Sequence, residues 1–108
     1  MEVTIDDFKK VEIQIGTIRS AERVPETDKL LRLEVDFGES APRQILSGIA
    51  EHVQPEDIIG RQFPFITNLE PRVIRGNVSK GMLLAVGEGD TFALLSPTRA
   101  VSPGSRIR

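Results

Sequence analysis

His52 is the only histidine of the chain, and Ser47 stands five residues before it. A serine nucleophile needs a general base, an orienting acid and a sharp strand-to-helix turn that exposes its oxygen; Ser47-Gly48-Ile49 provides no such elbow. His52 therefore reads as a surface histidine. Paired carboxylates occur at Asp6-Asp7 and Glu56-Asp57, each at an expected helix start, where acids complement the positive end of the helix dipole rather than exchange protons. Gly87-Glu88-Gly89 lacks both the lysine and the following helix of a phosphate-cradling loop and reads as a hairpin turn. With no cysteine there is no disulfide, no thiolate metal site and no cysteine nucleophile, and no calcium loop or histidine-acid metal spacing is present. The expectation is a protein without catalytic residues, metal or cofactor.

Charge carries more information. Lys plus Arg is 14 against 16 for Asp plus Glu, a net charge of −2 and a pI near 5.4, the wrong sign for an indiscriminate polyanion binder. The acids are concentrated in residues 1–40, which hold ten acids and six bases, whereas residues 41–108 hold six acids and eight bases. Between Arg61 and Met82 the bases Arg61, Arg72, Arg75 and Lys80 face one acid, Glu70. The run from Asn68 to Met82 combines guanidinium forks, amide and hydroxyl donors, and glycines that permit close approach of the backbone, the ingredients of a phosphate-contact surface. Single-strand binders on small barrels stack bases on aromatic rings, but this chain has no Trp or Tyr and only five Phe, most or all expected in the core. Any nucleic acid is then recognised by shape and phosphate, as structured RNA is.

The elements that must position these residues follow from periodicity. Thr4 three residues before Asp7 has the form of a helix N-cap, so Ile5 to Lys9 is expected as one short turn. Val11, Ile13 and Ile15 alternate with Glu12 and Gln14, and Gly16 then suggests a bulge or bend that lets one long strand serve two sides of a barrel. Leu31, Leu33, Val35 and Phe37 alternate with Arg32, Glu34 and Asp36, and Arg43 to Ser47 pairs with them as a hairpin. Pro55 to Ile59 reads as a helical turn, Phe63 to Thr67 as a strand with an edge at Pro64, Met82 to Val86 as a strand buried on both faces, and Phe92 to Leu95 as a last short strand. The tail Arg99 to Arg108 is either a further extended strand or a loose end. A chain of 108 residues is one domain, 1–108, and short strands with one or two helical turns make it all-β, best fitted by a five-stranded Greek-key barrel. No apolar run approaches membrane-spanning length, and the acidic N-terminus is unlike a targeting signal, so a cytoplasmic location is expected.

Six motifs in order resemble one family: Asp7-Phe8-Lys9-Lys10-Val11-Glu12-Ile13 with Gly16-Thr17-Ile18; Asp28-Lys29-Leu30-Leu31; Arg43-Gln44-Ile45; Ser47-Gly48-Ile49-Ala50; Asn68-Leu69-Glu70-Pro71-Arg72; and Gly76-Asn77-Val78-Ser79-Lys80-Gly81-Met82. They are similar to the tRNA-binding domain at the C-terminus of bacterial methionyl-tRNA synthetases, found also in stand-alone tRNA-binding proteins, in CsaA chaperone-like proteins and in the endothelial monocyte-activating polypeptide domain. The resemblance implies an OB-fold barrel, a homodimer, and non-catalytic binding of the outer corner of folded tRNA; the apolar residues Leu94, Leu95 and Ile107 make the C-terminal extension of about 92–108 the expected dimer contact. It further implies Lys29 and Arg43 as phosphate contacts, Asn68, Arg72, Arg75, Ser79 and Lys80 as donors, and Met82 as an apolar contact. Thr27 stands where the family usually has Ala, and Val73 where a Lys is common, which removes one cation. Met1 just ahead of the first motif fits a free-standing product, with methionyl-tRNA synthetase as a further partner. The alternatives are a CsaA-like peptide-binding chaperone and a module that only dimerises.

Overall fold

The computed structural model describes residues 1–108. The chain runs through α1 (Ile5–Lys9), β1 (Ile13–Arg23), β2 (Leu31–Asp36), β3 (Arg43–Ser47), α2 (Pro55–Ile58), β4 (Gln62–Ile66), β5 (Arg72–Ile74), β6 (Asn77–Ser79), β7 (Met82–Leu83), β8 (Ala85–Val86), a 3₁₀ turn (Gly89–Thr91) and β9 (Ala93–Leu94). Thr4 caps α1 as its spacing implies, its Oγ1 accepting the Asp7 amide at 3.0 Å. None of the helices is long and apolar enough to cross a membrane.

A five-stranded antiparallel sheet in the order β3-β2-β1-β4-β7 curls into a nearly closed barrel of the OB type. The alternation of β2 is realised without exception: Leu31, Leu33 and Val35 are fully buried while Arg32, Glu34 and Asp36 point outward. Phe63 and Phe65 of β4 join them, and Phe37 meets Phe65 edge to face with centroids 5.3 Å apart. Phe8 is 44% exposed and Phe92 only half-buried, so three of the five phenylalanines are fully in the core rather than all of them.

β1 serves two sides of the barrel. Ile13 to Thr17 pair with β4, and Thr17 to Arg23 pair with β2. The irregularity in the ladder falls between Ile18 and Ser20 rather than at Gly16. Gly16 has a different function: a Cβ there would fall on Val35 Cγ1 and within 2.6 Å of Phe37 Cε1, so its bare backbone lets the bent strand lie against the core. The tail is a last extended segment. Gly104 donates to Ile15 O at 2.7 Å, Ile15 to Ser105 O at 2.8 Å and Ile107 to Ile13 O at 2.8 Å, while the Gln62 amide clasps both backbone groups of Val101.

One reading of the sequence is corrected. Met82 to Val86 is not one doubly buried strand: it divides into β7 on the barrel and β8, which pairs with β9 in a separate hairpin, and only Leu83 is buried. Residues 72–79, to which periodicity assigned no element, form the β5–β6 hairpin. Its two-residue turn, Arg75-Gly76, has φ of 52° and 76°, the left-handed pair that tight hairpins require.

The barrel closes where β3 meets this hairpin and the residues after it. The Lys80 amide donates to Gln44 O at 2.9 Å, the Gln44 side chain donates to Val78 O at 2.9 Å, and the Leu46 amide donates to Ser79 Oγ at 3.0 Å. Ser79 is 4% and Leu46 6% exposed, so that amide has no water to turn to. Ser79→Ala should lower unfolding stability by about 1–3 kcal/mol, the cost of a buried donor left unpaired; an unchanged urea midpoint would refute the seam.

Candidate nucleic-acid interface

Two loops bring cations together. The β1–β2 loop carries Lys29, and the β5–β6 turn carries Arg75; with Glu26, Thr27, Asp28 and Gly48 they line a groove of about 490 Å³. Arg72 begins β5 opposite Ser79, and Lys80 follows β6 at the seam, beside a second and broader groove of about 800 Å³ lined by Pro42, Arg43, Gln44, Pro71 and Val78. Lys29, Arg72, Arg75 and Lys80 are all exposed. The chain has four ion pairs, Lys10–Asp7, Arg19–Asp36, Arg32–Glu22 and Arg43–Glu39, and none involves these residues. These four unneutralised cations can accept phosphates without first breaking an internal pair.

The other residues singled out by sequence are held within the fold. Arg43 donates to both Glu39 oxygens at 2.8 Å, to Thr67 O at 2.6 Å and to Lys80 O at 3.2 Å, and its guanidinium lies 5.4 Å from the Phe37 ring centroid. Asn68 accepts the Glu12 amide at 2.8 Å and donates to Lys10 O at 2.6 Å, so its carboxamide ties the N-terminal segment to the end of β4. The Ser79 hydroxyl donates to Gly81 O at 3.2 Å while accepting from Leu46. Met82 is 37% exposed on β7, opposite Ile66. The sequence reading had no means of separating the first three from the free cations. Side chains of Arg, Asn and Ser serve equally well as ligand donors and as internal ties, and only the packing tells which.

A sequence profile described as "Putative tRNA binding domain" matches residues 13–106. The chain belongs to this tRNA-binding domain family. It is 49% identical over 105 residues to a methionine–tRNA ligase of Helicobacter pylori and 45% identical over 105 residues to that of Thermotoga maritima, covering 97% of this chain in both cases. The chain spans only 16% of the length of those ligases. Among solved structures, a "MetRS related protein" from Pyrococcus horikoshii superposes with a TM-score of 0.91 at 35% identity, and the chaperone CsaA from Bacillus anthracis with 0.88 at 32%; each match covers 100% of both chains. The family thus includes both synthetase-related domains and chaperones built on this barrel.

Two carboxylates at the end of β2 and in the turn after it have lowered pKa values. The Gly38 amide and then the Arg19 guanidinium hold Asp36 below its ordinary value of 3.8, and the Arg43 hydrogen bond holds Glu39 below 4.5. Groups more acidic when folded than when unfolded stabilise the fold above their ordinary values, and that contribution is lost as pH falls through the lowered ones. Stability should therefore decline as pH drops below about 4.5, the ordinary carboxylate range, and Glu39→Gln should make the decline shallower; a thermal-melt profile of the variant superimposable on wild type would contradict this.

Proposed function

We propose that this chain is a non-catalytic module that binds folded tRNA in the cytoplasm through its phosphate backbone, free-standing or as an accessory domain of methionyl-tRNA synthetase. The observation that carries the reading is the set of four exposed, unpaired cations of a tRNA-binding domain, Lys29 and Arg75 on two loops that share a groove and Arg72 and Lys80 at the base of the β5–β6 hairpin. Arg43, Asn68 and Ser79 then serve binding by holding those loops in place, and Met82 offers an apolar contact beside them. The net charge of −2 keeps such binding modest and sensitive to salt.

The module works as a homodimer in this reading. Leu95 and Ile107 are 42% and 38% exposed, and with Ile15, Pro64 and Val101 they line a hollow of about 410 Å³ that a second copy would cover. The same hollow supports the second reading, a peptide-binding chaperone, because the chain is nearly as similar in fold to CsaA as to a synthetase-related protein.

Gel shifts with unmodified tRNA across a salt series test the first reading. The logarithm of affinity should fall with the logarithm of salt, and Arg72→Ala or Arg75→Ala should weaken binding to all tRNAs and reduce that slope by about 0.7 to 0.9 per lost phosphate contact. No shift at low salt, with an unfolded substrate still held in solution, would favour the chaperone.

A further inference from the structure

His52 and Phe92 lie face to face, with ring centroids 4.4 Å apart and planes 12° from parallel. Phe92 is half-buried and packs against the core, so it is a fixed backing for the imidazole. His52 is exposed, and since one ring face is covered by Phe92, solvent reaches the edge and the opposite face. The loop that carries it is stiff. The His52 and Val53 amides both donate to Ile49 O, at 2.9 and 3.1 Å, and the Arg23 guanidinium holds Ala50 O and Gln54 Oε1, both at 3.1 Å.

The same loop touches the cation groove. Gly48 lines it together with Lys29 and Arg75, and the Ala50 amide donates to Lys29 O at 2.9 Å. His52 follows two residues on, which places its backbone within about 8 Å of Ala50, at 3.8 Å per Cα step. Exposed Glu51 beside it repels a phosphate at this spot, so the flat ring face is suited to a base rather than to backbone.

We propose that His52, backed by Phe92, is a stacking platform for an unpaired base of an RNA whose phosphates lie on Lys29 and Arg75. The proposal rests on the tRNA reading above and adds a base contact to a surface otherwise built for phosphate. Folded RNAs present unstacked bases at loops, bulges and ends, and histidine is among the side chains that receive them. Stacking tolerates any base because each has a π face. The ring is already ordered by Phe92, so little side-chain freedom remains to be lost on binding.

The test uses His52→Trp, which introduces the sole tryptophan into a chain that has no Trp or Tyr. Fluorescence and gel shifts are read on the same samples as unmodified tRNA is added. Quenching that tracks complex formation, together with a loss of affinity of about fivefold or more in His52→Ala, the low end for base-on-aromatic stacking, and retention in His52→Phe, supports the platform. A normal shift without quenching overturns it while leaving the phosphate surface standing. A lowered melting temperature in His52→Ala at unchanged affinity also overturns it, since the stack then only ties the loop to Phe92. Absence of any shift with wild-type protein overturns both readings.

Discussion

A single guanidinium stands at the point where the barrel closes. Arg43 forks onto the Glu39 carboxylate, reaches two carbonyls that belong to the opposite side of the seam, Thr67 O and Lys80 O, and covers the edge of the core at Phe37. Charge-assisted bonds of this kind are roughly twice as strong as neutral ones, and a planar fork can satisfy several acceptors at fixed angles where an ammonium cannot. β3 and β7 are the two edges of the sheet and do not pair directly. Arg43, Gln44 and Ser79 instead join β3 to β6 and to Lys80 just ahead of β7, and the position of the β5–β6 hairpin, with Arg72 and Arg75 upon it and Lys80 after it, follows from that link.

The second constraint is the bend of β1. One strand pairs with β4 over its first half and β2 over its second, and the tail occupies the edge of the first half that β2 leaves free. Closing a small sheet into a barrel demands such a strand, and Gly16 supplies the missing Cβ where Val35 and Phe37 press against it. The N- and C-terminal segments meet on this strand, where Phe8, Val11 and Ile107 remain exposed. Exposed apolar side chains thus gather where the two termini meet, while Lys29 and Arg75 line the groove between the β1–β2 loop and the β5–β6 turn.

Much of this architecture could be read from alternation. β2, β3, α1 and α2 fall within a residue of the positions that periodicity and capping assign, because each is a local pattern with one face buried. The short strands were harder. Met82 to Val86 has no alternation to show that the chain leaves the barrel halfway, and the exposure of Met82, Ala85 and Val86 follows from which strand lies alongside. The β5–β6 hairpin was hidden because the Arg75-Gly76 turn looks like part of a basic run; the flanking Val73-Ile74 and Asn77-Val78 were its only signal.

The amino-acid sequence by itself determined the fold class, the absence of cysteine chemistry, the family motifs and the clustering of bases after residue 60, all properties of residue type and spacing. Tertiary structure alone decided which polar side chains remain free. Asn68, Ser79 and Arg43 became internal ties while Lys29, Arg72, Arg75 and Lys80 stayed unpaired, and a histidine without apparent role came to rest on Phe92 forty residues away. The reason is physical: a donor is satisfied by whichever acceptor the closed barrel brings within about 3 Å, and that partner lies too far along the chain for any local pattern to announce it.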